Sequence, residues 1–402
     1  MISNLQGVLS AAAKGMKKSA IRELLKLTKN PEIISFAGGL PAPETFPIEQ
    51  LIEVTSEVLR EDGEAALQYG STEGDSLLRE EIVQMYREKG FDISLENVMI
   101  TTASQQGLDL IAKIFVDRGD KIICGLPSYL GGLQAFKNYG ADLVGIEFDD
   151  AGMRADKLDE KLTELKGLND LPKFIYIIPD FQNPAGVTMT NARRKEIIAI
   201  AKKFDLLILE DSPYKELRFE GKEQESLYVL DGEGHVINFG TFSKIFVPGF
   251  RIGWVIAHED IVNQFVKAKQ ATDLCTSPFV QKVAAKYVQK GYFKENLTKT
   301  IELYREKRDI MMAAFDEFMP EGVSWTKPEG GLFLFITLPE YMDSEILFHK
   351  ALEKKVAFVV GNVFHCNNEG KNTMRINFSY TPKDLTKIGV QRLAEVIKTE
   401  MR

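Results

Sequence analysis

Residues 174–214 read FIYIIPDFQNPAGVTMTNARRKEIIAIAKKFDLLILEDSPY, and this stretch decides the fold. Two runs that are apolar almost throughout, 174–178 and 206–209, predict buried strands. Between them, residues 191–204 carry apolar side chains at helical spacing and predict an amphipathic helix. A strand, a helix and a second strand in this order indicate parallel strands that are covered on both faces.

The same alternation extends over the middle of the chain. It predicts a helix over 104–117 and further strands over 98–102, 121–125, 143–148, 236–239 and 254–257. After residue 291 the pattern changes, because 292–319 contains no Gly or Pro and predicts one long helix. A smaller α+β region then follows, with strands predicted over 331–338, 357–360 and 373–379. We therefore predict an N-terminal arm and small-domain segment, a large domain and a C-terminal small domain, over 1–47, 48–291 and 292–402.

The composition narrows the classes of function. The chain has 402 residues, with 50 Lys and Arg against 58 Asp and Glu, so the formal net charge is −8. This balance argues against a general nucleic-acid binder, which would carry a basic field. No apolar run approaches the ~20 residues needed to span a bilayer, so we expect no membrane partner.

Cysteine and histidine usage gives no sign of a metal site. The three cysteines are widely separated and form no CxxC pair, and the four histidines form no HxxH cluster.

Four basic residues precede Glu23, the first acidic residue, so a transit peptide has to be considered. A basic amphipathic helix is favoured instead, because no long apolar region or small-residue cleavage site is present. We expect a cytoplasmic protein with reduced thiols.

Polar residues follow the predicted strands at their carboxyl ends. In a doubly wound sheet, ligands bind at this edge. The residues that the pattern brings to one edge include an amine, an acid, a phenol, an amide and several hydroxyls: Ser104, Gln105, Asn183, Asp211, Tyr214, Thr241, Ser243 and Lys244.

Part of this set predicts a phosphate site. Residues 104–107 open a helix, whose free N–H groups bind anions. Thr241 and Ser243 add hydroxyl donors, and Arg251 adds a guanidinium. The chain has no GxxxxGK[ST] motif and no GxGxxG after a strand, so a nucleotide is the weaker interpretation.

Lys244 and Asp211 point to a particular cofactor. A lysine beside a phosphate site and at a strand end is well placed to form a Schiff base, because its pKa falls readily when it is desolvated or set beside another cation. Asp211, at the end of a neighbouring strand, can hold a protonated ring nitrogen. A phosphate site, a lysine and a carboxylate are the three contacts that pyridoxal 5′-phosphate (PLP) requires.

Residues 243–253, SKIFVPGFRIG, resemble the lysine signature of class I/II, fold-type I aminotransferases. Further matches follow in order along the chain: SFAGGLP at 35–41, QYG at 68–70, NPAG at 183–186, DSPY at 211–214 and MRINFS at 374–379. AIRELLKL at 20–27 and FAGGLPAPE at 36–44 are similar to the 2-aminoadipate/kynurenine aminotransferase group. The resemblance implies an α/β protein of the PLP-dependent transferase fold type I. Its large domain would hold a mostly parallel seven-stranded sheet beside a smaller α+β domain.

The resemblance also implies cofactor-binding and catalytic roles. Lys244 would form the Schiff base and then carry a proton between the substrate Cα and the cofactor carbon C4′. Asp211 would pair with the pyridine nitrogen, Asn183 and Tyr214 would donate to the ring 3′-oxygen, and Tyr129 would stack on the ring. The phosphate would be held by Ser104, Gln105, Thr241, Ser243 and Arg251, with Tyr69 contributed by a second subunit.

The same resemblance implies a substrate site and a reaction. Arg375 would bind the substrate α-carboxylate with both arms of its guanidinium, beside Asn183. Gly39 would touch the substrate through its backbone, and Arg22 would meet its side chain. The expected protein is a homodimeric aminotransferase with a ping-pong reaction. An L-amino acid (2-aminoadipate, glutamate or an aromatic or branched donor) gives its amine to a 2-oxo acid such as 2-oxoglutarate.

Two alternatives stay open at this point. Other PLP chemistry, such as that of a β-lyase, uses the same fold, because a fold does not fix the reaction. A ligand-sensing effector domain is the second alternative. It is disfavoured because such regulators carry a winged helix before this fold, whereas here the aminotransferase-like pattern begins within the first 35 residues and the net charge is −8.

Overall fold

A computed structural model of the protein describes residues 5–16 and 30–401. The described α-helices are Leu5–Val8, Ala11–Gly15, Ile48–Leu67, Ser76–Arg87, Ala103–Phe115, Leu130–Asn138, Ala155–Gly167, Asn191–Lys203, Leu227–Asp231, Glu259–Gln270, Pro278–Gln289, Tyr292–Phe318, Ser344–Glu353 and Lys383–Glu400. The strands are β1 (Ile34–Ser35), β2 (Val98–Thr101), β3 (Lys121–Leu126), β4 (Asp142–Asp149), β5 (Gly152–Met153), β6 (Phe174–Ile177), β7 (Leu207–Asp211), β8 (Val236–Thr241), β9 (Gly253–Ile256), β10 (Ser324–Trp325), β11 (Phe333–Thr337), β12 (Val356–Ala357), β13 (Val359–Val360) and β14 (Thr373–Asn377).

The central sheet has eight strands in the order β2-β9-β8-β7-β6-β3-β4-β5. The pairs from β8 to β4 are parallel, whereas β9 is antiparallel to both of its neighbours and β5 is antiparallel to β4. The α/β class and the mostly parallel sheet are therefore confirmed. The eighth strand, β5, was not expected from the sequence, because two residues are too few to carry a hydrophobic period.

Alternate residues of the strands pack into two cores. In β6, Ile175 and Ile177 face a core formed with the helices Ala155–Gly167 and Asn191–Lys203. Phe174 and Tyr176 face the opposite core, which continues into the C-terminal region. Because successive side chains of a strand point to opposite faces, a sheet covered on both sides needs apolar residues at nearly every position. This explains the unbroken apolar runs of the sequence.

The C-terminal region holds a four-stranded antiparallel sheet in the order β10-β11-β14-β13. The strand predicted over 357–360 is divided in two: β13 joins this sheet, whereas β12 pairs in parallel with β1. The β1–β12 pair brings the segment after residue 30 against the C-terminal region. The domain boundaries at 47 and 291 stay a prediction.

The long helices follow the sequence pattern to within about two residues. The helices predicted over 104–117, 191–204 and 292–319 are found at Ala103–Phe115, Asn191–Lys203 and Tyr292–Phe318. Thr190 caps the second of these, since its side chain accepts a hydrogen bond from the Arg193 amide. Among the helices of the described residues, none is long and apolar enough to cross a membrane.

Candidate active site

A cavity of about 190 Å³ lies at the carboxyl ends of β7 and β8, where the helix Ala103–Phe115 begins. It contains nine of the eleven residues predicted to bind the cofactor. The lining residues are Ala103, Ser104, Gln105, Tyr129, Ile178, Asp211, Pro213, Tyr214, Thr241, Ser243, Lys244 and Arg251. The sheet edge thus assembles the predicted set, as expected for parallel strands that end together.

One end of the cavity is rich in hydrogen-bond donors. The helix Ala103–Phe115 starts here, and its N-cap Thr102 makes no capping bond through its side chain. Ser104 Oγ is buried and has no partner among the described residues. Arg251 Nη1 donates to Ser243 Oγ at 3.4 Å, and the Ser243 amide donates to Thr241 Oγ1 at 3.0 Å. Free helix N–H groups, hydroxyls and a guanidinium suit a phosphate.

Asp211 supplies a buried carboxylate at the end of β7. Its side chain is 2 % exposed, and Oδ2 accepts a hydrogen bond from Tyr176 Oη at 3.0 Å. Oδ1 is buried without a partner among the described residues. Burial raises the pKa of Asp211 to about 7. A carboxylate with one free buried oxygen fits a protonated ring nitrogen.

Lys244 supplies an amine at the same cavity. Its Nζ donates to the carbonyl oxygen of Gly39 at 2.8 Å. Burial, together with the nearby charges of Arg375 and Arg251, lowers the pKa of Lys244 to about 8. A lysine with this pKa has a substantial neutral fraction near pH 7 to 8, which is the form that attacks carbonyl carbon.

Three hydrogen-bonded side chains connect the cavity to the four-stranded sheet of the C-terminal region. Arg375 Nη1 donates to Asn183 Oδ1 at 2.9 Å, and Asn183 Nδ2 donates to Tyr214 Oη at 3.2 Å. Because Asn183 donates to it, the Tyr214 hydroxyl keeps its own proton for a further acceptor. Burial raises the pKa of Tyr214, so that this proton stays in place.

Arg375 is buried in β14 with part of its donor capacity unused. It is 2 % exposed, and Nη2 donates to the Ala37 carbonyl oxygen at 2.9 Å. Nε is buried without a partner among the described residues. The guanidinium lies over the ring of Phe333 at 4.2 Å and that of Phe364 at 5.1 Å. Burial lowers the pKa of Arg375 to about 10, so it stays charged at neutral pH.

The remaining predicted residues differ in their placement. Tyr129 lines the cavity, and its hydroxyl donates to Gln105 Oε1 at 3.4 Å. Tyr69 is 80 % exposed and does not line the cavity of its own chain. Arg22 lies outside the described residues.

Sequence reasoning missed Tyr176 and the apolar part of the wall, which includes Ile178 and Pro213. Tyr176 left one signal, because a phenol within an apolar strand needs a hydrogen-bond partner. It also missed the backbone of Ala103, which has a φ of 60° in the left-handed region. Alanine has no preference for positive φ, so the residue type does not predict this conformation.

Comparisons with known proteins agree with the geometry. Residues 32–393 match the family model "Aminotransferase class I and II". Aromatic-amino-acid aminotransferase 1 of Thermococcus litoralis is 49% identical over 98% of this chain and 94% of its own length. The crystal structure of Pyrococcus horikoshii kynurenine aminotransferase, in complex with PMP, superposes with a TM-score of 0.96 at 45% identity, covering 100% of this chain and 99% of that one. That of the α-aminoadipate aminotransferase LysN from Thermus thermophilus has a TM-score of 0.91 at 37% identity and covers 98% of each chain.

The chain therefore belongs to the class I and II aminotransferases, which confirms the family predicted from the lysine signature. It is a PLP-dependent enzyme of fold type I, and within the family it is similar to kynurenine and 2-aminoadipate aminotransferases. Asp211 Oδ1 and Ser104 Oγ, which have no partner among the described residues, fit the ring nitrogen and the phosphate of this cofactor.

Proposed function

We propose that the protein moves the amino group of an L-amino acid to a 2-oxo acid such as 2-oxoglutarate by a ping-pong mechanism. The observation that carries this proposal is the meeting of the Lys244 amine, the free oxygen of Asp211 and the phosphate donors in one cavity of about 190 Å³. When bound, PLP supplies an electron sink that makes the Cα proton of an attached amino acid acidic.

Nine side chains are proposed to hold the cofactor. Asp211 pairs with the ring nitrogen, Asn183 and Tyr214 donate to the 3′-oxygen attached to the ring, and Tyr129 covers one ring face. The phosphate is held by Ser104, Gln105, Thr241, Ser243 and Arg251. The hydrogen bonds already present between Thr241, Ser243 and Arg251 support this role, because they fix the donors before the ligand arrives.

Lys244 is proposed to be both the attachment point and the proton carrier. Its lowered pKa supports the first role. Once released by the substrate, its amine would accept the proton from Cα and return a proton to C4′, the carbon attached to the cofactor ring. A pKa of about 8 suits transfer in both directions at neutral pH, because a general base works best near the operating pH.

Arg375 is proposed to bind the substrate α-carboxylate, next to the backbone of Gly39. Its buried charge meets neutral oxygens of Asn183 and Ala37, and Arg375 forms no ion pair with any of the described residues. A buried guanidinium without an anion is a strong attractor for a carboxylate.

The substrate side chain is proposed to be acidic or apolar. The names of the relatives, which mention aromatic amino acids, kynurenine and aminoadipate, support both. We expect Arg22→Ala to lower kcat/KM for 2-aminoadipate and glutamate more than for phenylalanine. Equal losses for all three donors would reject a role of Arg22 in side-chain selection.

A homodimer with shared sites is proposed as the working form. Tyr69 is 80 % exposed, and Ile48, Ile52 and Leu67 of the neighbouring helix are exposed apolar residues, which supports a covered face here. Mixing Tyr69→Ala and Lys244→Ala subunits tests this proposal. If Tyr69 serves the other subunit's site, the mixed dimer regains one complete site and activity rises above that of either variant. No gain despite subunit exchange would contradict it.

A cytoplasmic location is also proposed. All three cysteines are free thiols, Cys124, Cys275 and Cys366, which suits a reducing compartment. Cell fractionation with antibody detection tests this, and recovery outside the cytoplasmic fraction would contradict it.

The decisive experiment for the reaction is an absorption spectrum. Wild type and Lys244→Ala are compared with PLP, before and after addition of 2-aminoadipate or glutamate. We expect the wild-type band of lysine-bound cofactor to convert to that of the pyridoxamine form, and Lys244→Ala to give neither the first band nor turnover. Release of pyruvate and ammonia without an acceptor would instead favour β-lyase chemistry.

A further inference from the structure

Tyr176 is a buried residue of the site that the family motifs did not single out. Its side chain is 1 % exposed, and the one hydrogen bond that its hydroxyl makes among the described residues goes to Asp211 Oδ2, at 3.0 Å. A buried phenol needs a hydrogen-bond partner, and the partner here is a carboxylate that lines the cavity.

The register of the sheet explains how Tyr176 reaches Asp211. Strands β6 and β7 are parallel, and Tyr176 is paired with Leu209. Asp211 is two residues beyond Leu209, so its side chain lies on the same face of the sheet as that of Tyr176. The long phenol spans this diagonal, whereas a shorter side chain would leave Asp211 Oδ2 without a donor.

The Tyr176 ring is held in place from the helix Leu130–Asn138. The ring of Phe136 meets it edge-on, with centroids 5.2 Å apart and an interplanar angle of 81°. One helical turn earlier, Gly132 leaves space for the ring, because a Cβ at Gly132 would lie 2.9 Å from Tyr176 Cε1 and 3.0 Å from Oη. The helix therefore fixes the position of the hydroxyl that binds Asp211.

We propose that Tyr176 is a positioning residue for the cofactor: it holds Asp211 through Oδ2, so that Oδ1 stays free for the ring nitrogen and the carboxylate ionises more readily. This inference rests on the proposed role of Asp211 and deepens it. Tyr176 itself does not line the cavity. It acts on the cofactor through Asp211.

The test measures PLP affinity of Tyr176→Phe as a function of pH, by fluorescence titration of the cofactor-free protein. Phenylalanine keeps the ring and removes only the hydroxyl. Without its donor, the buried Asp211 becomes harder to ionise and its pKa rises. We expect PLP to bind about tenfold more weakly at neutral pH, which corresponds to about 1.4 kcal/mol, and the loss to shrink as the pH is raised.

Two further variants separate positioning from general destabilisation. Tyr86→Phe removes the hydroxyl that accepts a hydrogen bond from Trp254 Nε1 at 3.0 Å, and Tyr86 does not line the cavity. We expect its PLP affinity to match the wild type at every pH. Gly132→Ala keeps the Tyr176 hydroxyl but displaces the ring, so its PLP affinity should fall with the pH dependence of Tyr176→Phe.

The outcomes are distinct. Unchanged PLP affinity in Tyr176→Phe, or a loss that is equal at every pH, would overturn the proposal. So would failure of both Tyr176→Phe and Gly132→Ala to fold, since Tyr176 would then serve the fold rather than the carboxylate. Failure of the proposed function looks different, because wild type itself would then bind PLP without converting it to the pyridoxamine form in the presence of amino donors.

Discussion

Two clusters of largely buried charged residues adjoin the loop that follows β6. In the first, Arg194 and Asp180 form an ion pair whose side chains are 0% and 1% exposed. In the second, Asp211 and Lys244 line the cavity, and Arg375 is linked to it through Asn183, which donates to Tyr214. The same short loop serves both, because Asp180 belongs to the first cluster and Asn183, three residues later, belongs to the second.

The clusters differ in how their charges are satisfied. Arg194 Nη2 donates to Asp180 Oδ1 at 2.7 Å, and its other N–H groups donate to the carbonyl oxygens of Met189, Glu225 and Pro179. Among the described residues, Lys244 and Arg375 donate to neutral oxygens, and Asp211 accepts from the neutral hydroxyl of Tyr176 without a cation partner. A paired buried charge serves the fold, whereas an unpaired one marks the place where a ligand brings the opposite charge.

The largest expected effect comes from breaking the paired cluster. Arg194→Ala removes the close partner of the buried Asp180 and leaves it with Arg218 at 3.8 Å, so we expect the free energy of unfolding to fall by about 3–5 kcal/mol. Urea unfolding of the PLP-loaded protein measures this. The control is Lys203→Ala, whose ion pair with Asp159 is exposed, with an expected loss of about 1 kcal/mol or less. Similar losses in the two variants would contradict the comparison.

In the unpaired cluster, removal of a charge is expected to raise the free energy of unfolding instead of lowering it. Burial raises the pKa of Asp211 from 3.8 to about 7, so the folded protein binds more protons than the unfolded chain between these values. Stability of the cofactor-free protein therefore falls as the pH rises through this window. Three pKa units correspond to about 4 kcal/mol, so Asp211→Asn should be more stable than wild type at pH 8 by up to about 4 kcal/mol. The gain should vanish near pH 4.

Asp180→Asn is the matched control for this experiment. It makes the same chemical change in the paired cluster, where it removes the anion that neutralises Arg194. We expect it to destabilise the protein at pH 8. Thermal unfolding of both variants without PLP compares them directly. Destabilisation by Asp211→Asn at pH 8 would contradict the prediction, because the ionised Asp211 carboxylate would then not lower the stability of the folded protein.

The difference between the clusters also explains what sequence could predict. Asp211 and Lys244 follow apolar runs, and both lie in motifs, so strand ends and family resemblance identify them. Arg194 lies three residues before Ile197 on the apolar face of its helix, which marks it as buried. Its partner Asp180 is in a loop, and no periodicity predicts which side chain a loop residue meets.

Tyr176 and the short strands illustrate the same limit. The alternation along β6 predicts the face on which Tyr176 lies, but its bond to Asp211 depends on the register between β6 and β7. β5 and the division of the strand predicted over 357–360 depend on pairing partners as well. Tertiary pairing, unlike local periodicity, is not encoded within one segment.

A third expected effect is the pH dependence of cofactor capture by Lys244. With a pKa of about 8, the neutral amine increases about tenfold per pH unit below this value and levels off above it. The rate of PLP attachment to the cofactor-free protein, followed by stopped-flow absorbance, should do the same. Arg375→Gln removes a nearby cation and should move the curve to higher pH. A curve that does not move would exclude Arg375 as a cause of the lowered pKa.

The smallest expected effect on stability concerns two serines, Ser104 and Ser226, whose hydroxyl oxygens are buried. Ser104 Oγ has no partner among the described residues, whereas Ser226 Oγ donates to Glu210 and accepts a hydrogen bond from the Tyr228 amide at 3.1 Å. Without PLP, Ser226→Ala should therefore lower the free energy of unfolding by about 1–3 kcal/mol, and Ser104→Ala should change it by about 0.5 kcal/mol or less. Urea unfolding measures both.

For PLP affinity, in contrast to stability, Ser104→Ala is expected to have a larger effect than Ser226→Ala. Ser104→Ala removes a donor to a charged phosphate, so the Kd for PLP should rise about tenfold, which corresponds to about 1.4 kcal/mol. Ser226→Ala should leave the Kd unchanged, because Ser226 caps the helix Leu227–Asp231 and does not line the cavity. If Ser104→Ala instead destabilises the cofactor-free protein as much as Ser226→Ala does, an unpartnered buried polar atom is no guide to the ligand site. The contrast between the two charge clusters would then lose its meaning as well.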